Sequence, residues 1–231
     1  MARDKDVSTY SNYESRDALF AGLATVVAAQ LADALGQNGR ATLAVPGGTT
    51  PAPFFEILRK VPLDWKNVTI LLTDERFVPE TSDRSNTRLL RETLFQDLAA
   101  AATYVPMYLE ADQPEDVLGA LQKSIAEALP LDICVLGMGA DMHTASIFPE
   151  ADLLAEALAD DAPIFLPMRA PNAPEPRMTL TAPVLRRAGH VHLLIAGTAK
   201  KAALAVAQQD GPIIDAPVRA ILPQAHIHYA D

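Results

Sequence analysis

Thr42-Leu43-Ala44-Val45-Pro46-Gly47-Gly48-Thr49-Thr50-Pro51 is the stretch that decides how this chain is read. A short apolar run, a glycine pair and a proline in quick succession describe a buried strand, a tight loop and the start of a helix. The same alternation continues outward. Strand-like runs recur at residues 68–72, 104–107, 131–136 and 190–195, and helix-like runs fall at 51–60, 87–98, 114–129 and 199–208. Before them, Leu19, Leu23, Val26, Val27, Leu31 and Leu35 repeat at helical spacing until Gly36 and Gly39. This order predicts an α/β fold, with a mainly parallel sheet and helices on both faces. In such folds ligands bind beyond the carboxyl ends of strands, so the loops directly after strands carry the interest.

The chain has 231 residues, enough for one such domain. Residues 1–14 read as a polar N-terminal arm and 15–231 as a single domain. Residues 162–176 hold five prolines and no periodicity, which suggests an ordered surface excursion. The net charge of −10 argues against nucleic acid or an anionic membrane as partner. The N-terminus has no apolar signal core, and no apolar run is expected to approach the length of a membrane span. Cys134 is the one cysteine, within an apolar run, which suits a small buried core residue and a reducing cytoplasm.

Four constellations follow strands. In Pro46–Pro51, glycines let a ligand approach the backbone, Thr49 or Thr50 is placed to cap the helix, and free N–H groups favour phosphate. An ordinary strand-to-helix turn has the same pattern. Thr73-Asp74-Glu75-Arg76 is either a polar site in which Arg76 binds substrate oxygens, or a solvated loop with a local ion pair. Gly137-Met138-Gly139-Ala140-Asp141-Met142-His143-Thr144-Ala145-Ser146 lacks the third glycine of a dinucleotide loop, and His143 there is a candidate general base. Arg177 and Lys200 are candidate phosphate ligands or merely exposed cations. The pairs His190/His192 and His226/His228 have no Cys or carboxylate cluster beside them, so no metal is expected. No Gly-x-Ser-x-Gly elbow is present to support a covalent serine mechanism.

Together these loops resemble the 6-phosphogluconolactonase family. The resemblance rests on Gly47-Gly48-Thr49-Thr50-Pro51, on Thr73–Arg76 with Ser85-Asn86, on the run from Gly137 to Pro149, on Arg177-Met178-Thr179 and on Gly197-Thr198-Ala199-Lys200, in that order. It implies a Rossmann-like three-layer sandwich and hydrolysis of a phosphorylated sugar lactone without cofactor or metal, in a cytoplasmic monomer or homodimer. The expected catalytic residues are His143, Arg76, Asp74 and Asp141. Gly47, Gly48, Thr49, Thr50, Asn86, Arg177 and Lys200 are expected to bind substrate or its phosphate. Met142 stands where the family usually has Gly, and the steric cost of a side chain at positive φ predicts a negative φ there. The related glucosamine-6-phosphate deaminases carry an acid in an Asn-Glu-Pro turn after the His. Here Ile147-Phe148-Pro149-Glu150 displaces that acid, which favours the lactonase over the deaminase. A sugar-phosphate sensor without catalysis is the remaining alternative.

Overall fold

The computed structural model describes residues 9–171 and 173–231. In chain order the elements are β1 (Tyr10–Asn12), α1 (Arg16–Asn38), β2 (Ala41–Val45), α2 (Ala52–Leu58), β3 (Val68–Leu72), β4 (Asp74–Arg76), α3 (Asn86–Thr93), β5 (Thr103–Val105), α4 (Pro114–Glu127), β6 (Ile133–Leu136), α5 (Leu154–Leu158), β7 (Phe165–Met168), β8 (Arg177–Leu180), α6 (Ala182–Arg186), β9 (His190–Ala196), α7 (Thr198–Ala207) and β10 (Ala225–Ala230).

Seven strands form one parallel sheet in the order β1-β10-β9-β6-β2-β3-β5. Its central strands β2 and β6 are buried at every position, because helices cover both faces. The chain runs from β2 toward β3 and β5 on one side, and from β6 toward β9 and β10 on the other. The strand order therefore reverses between β2 and β6, and their two carboxyl-end loops open a crevice there. A second, antiparallel sheet, β4-β8-β7, lies past the end of β3.

Helix α1 shows how local sequence builds the frame. Ser15 caps it by accepting from the Ala18 amide, and Gly39 ends it at φ 70°. Its face Leu19, Phe20, Leu23, Ala24, Val27, Ala28 and Leu31 is buried, and it packs on β2, β6 and β10. By length and hydropathy α1 is a helix that could cross a membrane, contrary to the expectation of no such run. Its buried face makes it a core helix of this fold.

Two further expectations are corrected. The arm assigned to residues 1–14 contains β1, whose Tyr10, Ser11 and Asn12 align with Ile227, His228 and Tyr229 of β10. A polar edge strand pairs through its backbone, so its sequence carries no apolar signal; residues 1–8 of that arm lie outside the described residues. The surface excursion at 162–176 contains the buried strand β7. Pro167 is tolerated because β7 is the edge of the small sheet, where a strand needs only one set of partners.

Candidate active site

A cavity of about 380 Å³ lies at the carboxyl ends of β2, β6 and β9, walled by the small sheet. The loop after β2 contributes Pro46, Gly47 and Gly48, and Gly48 takes φ 83°. Asp74, Arg76 and Asn86 come from β4 and the start of α3. Gly137, Met138, Gly139, His143, Ala145 and Phe148 come from the loop after β6, and Arg177 and Lys200 complete the lining. Thr49, Thr50 and Asp141 are not among the lining residues. Helix α2 starts at Ala52 with Pro51 at its N-cap and no side-chain cap bond, so neither threonine caps it.

His143 is held by its own loop. The Met142 amide donates to the Gly139 carbonyl at 3.0 Å, and the Gly139 amide to the His143 carbonyl at 3.0 Å. A side chain at Gly139 would collide with the His143 ring and the Asp141 carboxylate. His143 Nδ1 donates to Asp141 Oδ1 at 2.5 Å, and the Asp141 oxygen also accepts the His143 amide at 3.3 Å. Burial works against the Asp141 charge, but the hydrogen bonds and charge of His143 outweigh it and hold that carboxyl below its usual range. In the neutral ring, a proton on Nδ1 directed at Asp141 leaves the lone pair on Nε2, the form a general base requires.

Met142 in this turn has φ 64°, which overturns the expected negative φ. Two bonds fix it there, the donation from its amide to Gly139 and acceptance by its carbonyl of the Val218 amide at 3.0 Å. Its half-buried side chain packs on the core, which offsets part of the strain.

Asp74 and Glu75 are buried, so the reading of Thr73–Arg76 as a solvated loop does not hold. Asp74 Oδ2 accepts from Ser146 Oγ at 2.6 Å, tying β4 to the histidine loop. Asn86 Nδ2 donates to the Asp74 carbonyl at 3.0 Å. The Asn86 amide fills the space a Cβ on Gly47 would occupy, so glycine is required there. Arg76 donates through a terminal nitrogen to the Arg84 carbonyl. The Nε atoms of Arg76 and Arg177 are buried without a hydrogen-bond partner among the described residues.

Arg177 is 7% exposed, stands 5.8 Å over the Phe148 ring and 4.0 Å from Glu175. Burial and then the neighbouring Arg76 charge push its guanidinium below the usual range, and burial does the same to Lys200. Both cations would gain from an anion in the cavity. Phe148 also packs against His143, with ring centroids 4.2 Å apart. Sequence reasoning did not single out Phe148, Ser146 or Glu75 as parts of the site. A hydroxyl or ring within a loop carries no periodic signal, and Glu75 stood only as one of four polar residues. Glu150, the displaced acid, is exposed and does not line the cavity.

The paired histidines lie elsewhere. Tyr13 Oη lies 2.9 Å from His228 Nδ1, His228 Nε2 lies 3.0 Å from His192 Nδ1, and His192 Nε2 lies 2.8 Å from Gln30 Oε1. Among the described residues no three His, Cys, Asp or Glu side chains are grouped as a metal would need.

Residues 14–229 match the family model for glucosamine-6-phosphate isomerases and 6-phosphogluconolactonases. A 6-phosphogluconolactonase of Rhizobium meliloti is 45% identical over 92% of this chain and 93% of its own. One from Mesorhizobium japonicum is 44% identical over 94% of this chain and 91% of its own. The crystal structure of a 6-phosphogluconolactonase from Shewanella baltica superposes with a TM-score of 0.94 at 31% identity, covering 97% of this chain and 98% of that one.

Proposed function

From the premise that the chain belongs to the glucosamine-6-phosphate isomerase and 6-phosphogluconolactonase family, we propose that its cavity hydrolyses 6-phosphogluconolactone by direct attack of water, with His143 as the base. The activity is the lactonase one of its relatives. The observation that carries the mechanism is His143, whose Nδ1 is 2.5 Å from Asp141 Oδ1, in the same cavity as Arg76, Arg177 and Lys200.

Water placed beside Nε2 loses a proton to it as its oxygen bonds to the lactone carbonyl carbon. The carbonyl electrons move onto oxygen, and Arg76 is the donor assigned to that oxyanion or to the substrate oxygens beside it. Collapse restores the carbonyl and breaks the ring carbon–oxygen bond. The imidazolium returns its proton to the departing ring oxygen, which leaves the open-chain acid. Asp141 stabilises the imidazolium while it exists, by the charge-assisted bond already present at Nδ1.

Arg177 and Lys200, with the Gly47-Gly48 backbone, are assigned the 6-phosphate. Holding it fixes the carbonyl against the water. Thr49 and Thr50 are assigned supporting contacts to that phosphate, since they adjoin Gly48. Asn86 and Asp74 are assigned the sugar hydroxyls and the alignment of neighbouring groups. The mechanism uses no metal and no cofactor, and it suits a cytoplasmic enzyme that works as monomer or homodimer.

The test is hydrolysis of 6-phosphogluconolactone above its spontaneous rate, beside the lactone lacking the 6-phosphate and with and without a chelator. A strong preference for the phosphorylated lactone, indifferent to chelator, is expected. Equal rates on both lactones would remove the phosphate clamp, and activity lost to chelator and restored by a divalent ion would remove the metal-free step. Ammonia release from glucosamine 6-phosphate, with no lactonase activity, would replace this reading with the deaminase.

A further inference from the structure

Glu75 is completely buried, yet it lines no part of the cavity. Both of its oxygens are surrounded by donors. Oε1 accepts the amides of Arg76 at 2.7 Å and Asn86 at 2.8 Å. Oε2 accepts the Thr87 amide at 2.7 Å, the Thr87 hydroxyl at 2.8 Å and the Ser85 hydroxyl at 3.2 Å. Asn86 and Thr87 open helix α3, and Ser85 is its N-cap, accepting the Arg88 amide at 3.2 Å. A helix start has unpaired amides and a positive dipole end, and here a carboxylate from the neighbouring strand satisfies two of those amides.

Two of the residues that Glu75 ties together, Arg76 and Asn86, line the cavity. Arg76 follows it on β4, and Asn86 is seated between the Asp74 carbonyl and Gly47. With one Nδ2 hydrogen engaged by Asp74, Asn86 keeps its second N–H and its Oδ1 for a ligand. We infer that Glu75 is a positioning residue for the reaction: its carboxylate anchors the start of α3 to β4 and so sets Asn86 and Arg76 in register with the substrate. This rests on the lactonase reading above. Burial raises the Glu75 pKa, and the bonds from Asn86, Thr87 and Arg76 work against that rise. All five partners are amide or hydroxyl donors, so an amide nitrogen in place of either oxygen would face N–H groups. Glutamine is therefore not a conservative replacement, whereas aspartate keeps the charge and part of the reach.

The experiment is a double-mutant cycle on kcat/KM for 6-phosphogluconolactone, using Glu75→Gln, Asn86→Ala and the pair. Folding is checked by melting, and product binding is measured by calorimetry with 6-phosphogluconate. Glu75→Gln is expected to lower kcat/KM at least about ten-fold and to weaken product binding. Glu75→Asp should restore part of the loss. In the Asn86→Ala background the same substitution should cost about three-fold or less, because most of its effect passes through Asn86 and only the remainder through Arg76. Losses that multiply in the double variant, or a folded Glu75→Gln with wild-type kcat/KM, would overturn the proposal.

If Glu75→Gln does not fold, Ser85→Ala/Thr87→Val removes two donors and leaves the carboxylate. It should lower kcat/KM about three-fold or more with the same dependence on Asn86, and wild-type kcat/KM there would overturn the proposal. A wild-type protein without lactonase activity would instead refute the functional reading, and the calorimetric arm would still judge Glu75.

Discussion

Arg76 on β4 and Arg177 on β8 occupy one register position of an antiparallel pair, so two arginines stand opposite each other at the cavity wall. Like charges facing across strands are unfavourable by up to about 1 kcal/mol, and each Nε is buried without a partner among the described residues. An anion between the two guanidinium groups would offset that repulsion.

Arg177→Met should therefore separate stability from function. Relieving the like-charge contact should raise the melting temperature of the ligand-free protein by roughly 1–3 °C. The same change removes a charge-assisted bond worth roughly 1.5–3 kcal/mol, so KM should rise about ten-fold or more, with a smaller fall in kcat. Lys200→Ala should raise KM similarly. Melting with and without inorganic phosphate checks the first part and steady-state kinetics the second. A wild-type KM in both variants would show that the phosphate is held elsewhere.

Met142 carries the second prediction. Glycine at φ 64° has no steric penalty, whereas the half-buried methionine side chain is lost. The two effects nearly cancel, so Met142→Gly should stay within about 1 kcal/mol of wild type and keep most of its kcat. Met142→Val puts a β-branched chain where left-handed backbone is most strained, and should lose about 1–3 kcal/mol. It should also lower kcat, because Asp141 and His143 flank it. Chemical denaturation checks both variants. A valine variant as stable as the methionine protein would mean that this turn is not fixed at positive φ.

The third prediction concerns acid. In the chain Tyr13–His228–His192–Gln30 each imidazole is neutral, donating from one nitrogen and accepting at the other. Protonation would set one N–H against another donor. Burial and then the nearby imidazoles push His192 down to about 3, and burial and then His226 push His228 down to about 4. In the unfolded chain both titrate near 6.5. Between about 6.5 and 4 the unfolded state thus binds more protons, and stability falls as pH drops through that window. From pH 7 to pH 5 the loss should be on the order of 2 kcal/mol for each of the two histidines. His228→Gln should flatten that slope. Parallel slopes for wild type and variant would assign the acid sensitivity to other groups.

The central sheet was legible because β2, β3, β6 and β9 are short, largely unbroken apolar runs, and run length with flanking turn residues marks them. The small sheet was not. Asp74, Glu75 and Arg76 form a strand by pairing with Thr179, Met178 and Arg177, yet their side chains serve the cavity and the start of α3 instead of a sheet face. β7 was hidden by Pro167, which breaks a central strand but not an edge. β1 was hidden because Tyr10-Ser11-Asn12 contributes backbone pairing and little apolar surface. At the site, the loops after strands were visible as glycine and polar clusters. Their partners across the fold were not: Ser146 under Asp74, or Phe148 between His143 and Arg177, are relationships of three-dimensional neighbours. Met142 failed in the opposite direction, because a local steric rule was overridden by the hydrogen bonds that close the turn.

The last prediction tests the base. His143 Nδ1 is engaged by Asp141, and Phe148 packs on the ring, so Nε2 is the one nitrogen free to take a proton. His143→Asn keeps polarity and removes the base, and general-base loss should lower kcat roughly 10²–10⁴-fold. KM should move little, because Arg177 and Lys200 are untouched. Asp141→Asn tests the orienting bond separately. Asparagine can still accept the Nδ1 proton, but it lacks the charge that stabilises the imidazolium, so kcat should fall on the order of ten- to a hundred-fold. The double variant should be no worse than His143→Asn alone, since Asp141 acts only through that ring. Rates must be read above spontaneous hydrolysis, in protein shown to melt cooperatively. A folded His143→Asn enzyme with more than about half of the wild-type kcat would take His143 out of the proton transfer. Asp74, buried in the same cavity beside Ser146, would then be the carboxylate to test as the base.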